Sequence, residues 1–163
     1  MGAQGLPPQG VSCFGWQTSW DYWLGSIGSK VAKRLKGFGG FISYNSRTKK
    51  PSVSYTFYPN VFELASHCNT LIICCSLIED TYHMINNYVM KALGKDGIII
   101  NIGRGAIIDE KELVRCLVEG KIFGVGLDVF ENEPNVPKEL FALDHVVMLP
   151  HRAAFTEESF YDA

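Results

Sequence analysis

Residues 97–130 read GIIINIGRGAIIDEKELVRCLVEGKIFGVGLDVF, and this stretch predicts a strand, a helix and a second strand in succession. Its two apolar runs are nearly continuous, which is typical of strands buried on both faces of a parallel sheet. Between them, Asp109 is predicted to cap a helix, because Glu112 follows three residues later as in a capping box. The helix carries an apolar stripe that ends before Gly120, formed by Leu113, Val114, Leu117 and Val118.

The same alternation of strands and helices extends to both sides of that stretch. SIGSKVAKRL spaces Ile27, Val31 and Leu35 four residues apart, as on one face of an amphipathic helix, and GFISY then reads as a strand. VFELASHC and NNYVMKAL are predicted helices flanking the strand TLIICCSL, and HVVMLP is a last apolar run. We therefore predict an α/β fold with a Rossmann-like, doubly wound parallel sheet.

The first 23 residues differ from the rest of the chain. They contain all three tryptophans and a Pro7-Pro8 pair, they lack Lys and Arg, and they show no clean helical or strand period. We expect residues 1–23 to be an atypical leader outside the fold and residues 24–163 to form a single, truncated domain. On this division the sheet lacks the strand that should lead into the glycine turn at Gly25.

Composition limits the classes of partner. The 163 residues carry a formal net charge of −2, so a nucleic acid or an anionic membrane has no electrostatic support as a partner. No run of about 20 apolar residues predicts a membrane span. The five cysteines are odd in number and include no C-x-x-C pair, which favours reduced thiols and speaks against a metal site. With no secretory signal at the N-terminus, the cytosol is the expected compartment.

A short glycine turn opens the first predicted helix. Gly25 and Gly28 would let backbone N–H groups approach a pyrophosphate at the helix N-terminus. The full dinucleotide-binding pattern needs a third glycine at position 23, where this chain has Trp23. By itself the turn fits a loop before a surface helix as well as a phosphate site.

The segment after GFISY bears on which nucleotide would be accepted. An acidic residue at the end of the second strand would bind a ribose 2′-hydroxyl, whereas an arginine accommodates a 2′-phosphate. Here the segment NSRTKK supplies Ser46, Arg47, Lys49 and Lys50 and no carboxylate. The two readings are an NADP phosphate site and a solvated basic turn.

Three strand ends in the second half of the chain carry charged or titratable side chains. Arg104 follows one buried run, Asp128, Glu131 and Glu133 follow the next, and His151 follows the last. Each could be an ordinary loop residue when taken singly. The carboxyl ends of parallel strands meet at one edge of the sheet, which is where open α/β folds bind their ligands.

INIGRGAIIDEKELVRCL, GVGLDVFENEP and LPH together closely resemble the D-isomer-specific 2-hydroxyacid dehydrogenases, and within that family the plant hydroxypyruvate and hydroxyphenylpyruvate reductases. The resemblance implies that Arg104 binds the carboxylate and carbonyl of a 2-oxo acid. It implies that His151 protonates the carbonyl oxygen as a general acid, and that Glu133 orients the imidazole and favours its protonated form.

The resemblance also implies an NAD(P)-binding domain with NADP(H) preferred and NAD(H) possible. The pyrophosphate would lie against the glycine turn, the adenosine ribose at the end of the second strand, and the nicotinamide near the catalytic set. The implied cofactor-binding residues are Gly25, Ser26, Ile27, Gly28, Ser46, Arg47, Thr48, Cys75, Ser76, Leu77, Ile102, Gly103, Arg104, Asp128, His151 and Ala153. Cys74, Cys75 and Cys116 are also predicted to be core thiols.

Hydroxypyruvate and glyoxylate are the implied substrates, and a homodimer is a further implication of the family. We expect the chain to depart from the family in having no substrate domain before the glycine turn. Arg152 also stands where the family more often has a small or apolar residue. The alternative is therefore a truncated nucleotide-binding remnant without catalytic activity.

Overall fold

The computed structural model describes residues 13–17 and 26–152. These residues form one parallel sheet in the order β3-β2-β1-β4-β5-β6-β7. The strands are β1 (Cys13–Gln17), β2 (Phe41–Asn45), β3 (Thr56–Tyr58), β4 (Thr70–Ile73), β5 (Ile98–Asn101), β6 (Gly124–Leu127) and β7 (Val146–Met148). The helices are α1 (Ser26–Gly37), α2 (Val61–Ser66), α3 (Asn87–Leu93) and α4 (Glu110–Val118). The parallel Rossmann-like sheet predicted from the sequence is confirmed.

The expectation that the sheet lacks its first strand is wrong. β1 lies at the centre, where Gly15 pairs with Ser43 of β2 on one side and with Leu71 of β4 on the other. Without β1, both neighbouring strands would bury unpaired backbone groups, so tertiary hydrogen bonding favours a strand here. CFGWQ is not an apolar run, but its aromatic residues are common in strands. Residues 13–17 thus belong to the fold, and the predicted boundary otherwise lies outside the described residues.

Helices cover both faces of the sheet. β4 shows this most clearly, since Leu71 and Ile73 enter the larger core beneath α2, α3 and α4, whereas Ile72 enters the smaller core beneath α1. From β1 the chain runs outward to β2 and β3, and then crosses to β4 on the other side of β1. The strand order therefore reverses between β1 and β4, and the crevice at their carboxyl ends is the expected ligand position.

The sequence predicted the start of α4 correctly, but it predicted the buried face of α1 less accurately. Asp109 caps α4 as predicted, because its side chain accepts a hydrogen bond of 3.2 Å from the Glu112 N–H. In α1 Ala32 is fully buried, while Ile27, expected on the apolar stripe, is 56% exposed. A small side chain at Ala32 allows the helix to approach the sheet closely. No helix among the described residues is long and apolar enough to cross a membrane.

Candidate active site

The loop after β5 holds Arg104 through a buried asparagine. Asn101 is fully buried; its Oδ1 accepts from the Gly103 N–H at 3.0 Å and its Nδ2 donates to the Arg104 carbonyl at 3.0 Å. Gly103 packs so tightly that a Cβ there would lie 2.7 Å from the Cys75 carbonyl oxygen. The Arg104 side chain is exposed, and its Nη1 donates to the Gly103 carbonyl at 2.7 Å. The guanidinium thus emerges from a braced loop.

Glu133 and His151 come together from the loops after β6 and β7. His151 Nδ1 lies 3.0 Å from Glu133 Oε2 and 3.2 Å from Oε1. The Phe130 N–H donates to Glu133 Oε1 at 3.0 Å and fixes the carboxylate from the other side. The His151 backbone has a φ of 54°, in the left-handed region that L-residues rarely adopt.

Ionisation of Glu133 determines how the pair can act. The hydrogen bond from His151 lowers the pKa of the Glu133 carboxyl, and the Phe130 N–H and the Arg104 charge lower it further. An ionised carboxylate only accepts hydrogen bonds, so the imidazole proton lies on Nδ1, and Nε2 is the ring atom that can exchange a proton with a ligand. Because the pKa of Glu133 is lower in the folded chain, its ionised carboxylate stabilises the fold at pH values above the unfolded pKa of about 4.3. This stabilisation is lost as the pH falls through the folded pKa.

Asp128 connects the end of β6 to the histidine loop. Asp128 is 5% exposed, and its Oδ1 accepts from the Arg152 N–H at 2.8 Å. This bond secures the backbone directly after His151. Asp128 therefore has a structural contact in addition to any contact with a nicotinamide.

The segment predicted to surround the adenosine ribose is fixed at both ends. Ser46 is 4% exposed, and its Oγ donates to the Thr48 carbonyl at 2.7 Å. The Lys50 N–H donates to the Tyr44 hydroxyl at 2.9 Å. Between these anchors, Arg47 is exposed at the tip of the turn. The burial of Ser46 makes it a brace of the turn, so that any phosphate contact falls to its exposed neighbours.

The remaining predicted cofactor residues lie at different depths. Ile27 is exposed, Gly28 is buried within α1, and Ser76 and Leu77 are exposed beyond β4. Gly25, Trp23 and Ala153 lie outside the described residues, as does the side chain of Ser26. Ile102 is half-buried beside the apolar face of β5 and β6.

The thiols of Cys74 and Cys75 are not suited to act as nucleophiles. Burial raises the pKa of both Cys74 and Cys75 to about 12, so both are protonated at neutral pH. Cys75 and Cys116 are buried as predicted, and Cys74 is half-buried. Cys75 can line the crevice only through its backbone.

Sequence reasoning missed two sets of polar contacts around the site. Asn101 was read as part of an apolar strand, although a lone polar residue there signals a buried group that needs hydrogen-bond partners. His83 and Glu131 were also missed as a pair; His83 Nε2 lies 2.7 Å from Glu131 Oε1. No local signal predicts that contact, because the two residues are 48 positions apart.

The family model for the D-isomer specific 2-hydroxyacid dehydrogenase NAD-binding domain matches residues 23–153. A glyoxylate/hydroxypyruvate reductase of Arabidopsis thaliana is 59% identical over 136 residues, which are 83% of this chain and 42% of that protein. The hydroxyphenylpyruvate reductase of Plectranthus scutellarioides is 53% identical over 136 residues, 83% of this chain and 44% of the relative. The chain thus spans less than half the length of these relatives.

Solved structures share the fold as well as the sequence. The NADPH-dependent glyoxylate/hydroxypyruvate reductase of Sinorhizobium meliloti, in complex with NADP and malonate, superimposes with a TM-score of 0.86 at 38% identity. The match covers 93% of this chain and 46% of the other.

Proposed function

The chain belongs to the D-isomer specific 2-hydroxyacid dehydrogenases, and from that membership we propose that it binds NADP(H) and reduces a 2-oxo acid such as hydroxypyruvate or glyoxylate. The observation that carries the proposal is the Glu133–His151 contact at the sheet edge where Arg104 also emerges. A guanidinium and an imidazole with an available Nε2 at the same edge of the sheet suit the reduction of a carbonyl adjacent to a carboxylate.

The described residues fit a dinucleotide. The 12-residue helix α1 starts beyond the carboxyl end of the central strand β1, with Gly28 buried in its first turn. That position at the strand-order switch offers N–H groups and a partial positive charge to a pyrophosphate. When bound, the nicotinamide supplies the hydride. Ile102 and Asp128 are proposed to lie near the nicotinamide, and Ser76 and Leu77 to line the wall of the nucleotide pocket.

Each catalytic side chain then has one task. Arg104 binds the substrate carboxylate through its fork of N–H donors and holds the carbonyl carbon in place. His151 donates the Nε2 proton to the carbonyl oxygen as negative charge develops there. Glu133 accepts from Nδ1 throughout, which fixes the orientation of the ring so that Nε2 faces the substrate.

Arg47 is proposed to favour NADP(H) over NAD(H). The braced turn presents it at the end of β2 without a nearby carboxylate in the segment NSRTKK. A guanidinium can bind the 2′-phosphate bidentately, and no acidic side chain there would bind the 2′-hydroxyl of NAD. The NADP-bound structure of the Sinorhizobium meliloti relative supports the same nucleotide.

A thermal melt with and without nucleotide tests the proposal. We expect a cooperative transition whose midpoint rises more with NADPH than with the same concentration of NADH, because only the state that binds is stabilised. Oxidation of NADPH in the presence of hydroxypyruvate or glyoxylate then tests turnover. A nucleotide-induced shift without turnover would favour the non-catalytic alternative, and the absence of any shift would contradict nucleotide binding.

Replacing Arg47 with Gln should reduce the preference for NADPH over NADH by about 10- to 100-fold, because hydrogen bonds to charged groups contribute about 1.5–3 kcal/mol each. The ratio of the two dissociation constants, measured by nucleotide fluorescence, is the readout. Lys49→Gln removes a charge from the same turn and is the matched control. Equal changes in both variants would show that the turn acts only through its overall charge.

A further inference from the structure

We propose that His83 and Glu131 form a positioning pair that holds the loops of Arg104 and Glu133 together; the proposal rests on the proposed function. Neither residue is assigned a contact with substrate or nucleotide. Both act through the backbone from which the catalytic side chains project.

The pair joins three separate parts of the chain. His83, from the segment between β4 and α3, contacts Glu131 Oε1 at 2.7 Å with side chains 31% and 27% exposed. Glu131 Oε2 accepts from the Glu110 N–H at 3.4 Å, and Glu110 Oε2 accepts from the Glu131 N–H at 3.2 Å. The first residue of α4 and the loop after β6 thus exchange reciprocal hydrogen bonds. Glu131 is the residue common to all three contacts.

The Arg104 loop is packed against the same point. A Cβ on Gly105 would lie 2.3 Å from the Glu131 backbone nitrogen, so the two loops touch through their backbones. The His83 N–H also donates to the Ala106 carbonyl at 2.9 Å, two residues after Arg104. A shift of Glu131 or His83 would therefore be transmitted directly to the backbone that carries Arg104.

Glu133 is tied to the same loop from the other side. It lies two residues after Glu131, and its carboxylate is fixed by the Phe130 N–H, the residue before Glu131. If Glu131 loses its partners, the Phe130 N–H can move and the Glu133–His151 geometry loosens. Misplacement of reacting groups by about 1 Å can cost about 100-fold in rate.

Backbone strain marks both histidines that pair with this loop. His83 and His151 have φ values of 49° and 54°, and they are the non-glycine residues with positive φ among those the structure describes. Such conformations persist where the surroundings over-determine them, and they cluster at functional sites. Glu131 and Glu133 each bind one of the two histidines, so one loop holds both strained positions.

The test compares variants that break the pair without disturbing the strained backbone. His83→Asn keeps a residue that tolerates positive φ but shortens the side chain, and Glu131→Gln keeps the size of the side chain but removes its charge. We expect each to lower kcat for the 2-oxo acid about 10- to 100-fold and to raise its KM, with the double variant no worse than the worse single. The NADPH-induced rise in melting temperature should stay unchanged. Glu119→Gln, which removes an exposed carboxylate paired with Lys121, is the matched control.

Amide hydrogen exchange keeps the test independent of turnover. The Phe130 N–H should exchange at least about 10-fold faster in both variants than in the wild-type chain and in Glu119→Gln, because its hydrogen bond to Glu133 is weakened. If the wild-type chain has no reductase activity but Phe130 still exchanges faster in the two variants than in wild type, the positioning pair stands and the proposed function is rejected. Wild-type exchange at Phe130, with kcat and KM within about twofold, would overturn the positioning role.

Discussion

Replacement of His151 with Gln is expected to lower kcat for 2-oxo acid reduction by about 10²- to 10⁴-fold, the usual contribution of a general acid. Gln can still hydrogen-bond Glu133, but it has no proton to transfer at neutral pH. NADPH affinity should change little, since the pyrophosphate and ribose contacts are proposed to lie at β1 and β2. Initial rates from NADPH absorbance, together with nucleotide titrations, measure the two effects separately.

His145→Gln is the matched control for that substitution. His145 precedes β7, whereas His151 follows it, so the two histidines lie at opposite ends of one strand. We expect kcat within about twofold of wild type for His145→Gln. A His151→Gln variant that keeps wild-type kcat would reject His151 as the acid, and one that loses NADPH binding would show that the residue acts through the nucleotide site.

The sequence predicted those parts of the fold whose signals are local. The apolar run before Asn101 and the cap at Asp109 are both set by residues within a few positions of each other. The prediction that Arg104, Glu133 and His151 lie at one edge of the sheet required one further step, because parallel strands bring their carboxyl ends to the same edge. The roles of these residues stay predictions, and their assignment to one sheet edge needed only the order and direction of the strands.

The parts that were missed depend on distant partners. β1 is a strand because β2 and β4 both pair with it. The sequence of residues 13–17 has no hydrophobic period that would predict a strand. β3 lies at the edge of the sheet and is three residues long, which is too short to show the alternation of apolar and polar residues that predicts a strand. The His83–Glu131 contact joins two loops whose contacting residues are 48 positions apart in the sequence. Pairings of this kind require the three-dimensional arrangement.

Gly105→Ala is expected to destabilise the domain by about 1–3 kcal/mol or more, as overpacking of a well-packed interior does. The added Cβ would lie 1.9 Å from the Phe130 carbonyl carbon and 2.0 Å from its oxygen. These are backbone atoms that cannot rotate away, so the Arg104 loop and the Glu133 loop must separate. Denaturant unfolding followed by circular dichroism measures the loss of stability, and hydroxypyruvate turnover should fall with it.

Gly37→Ala provides the matched control, because Gly37 is the last residue of α1 and a Cβ there meets no atom within 4 Å. We expect its stability to be unchanged or to rise by up to about 1 kcal/mol, the helix preference of Ala over Gly. An unfolding midpoint for Gly105→Ala equal to that of wild type would mean that the two loops can part without cost. Arg104 and Glu133 would then not be held by a shared backbone contact, and their alignment would depend on side-chain hydrogen bonds alone.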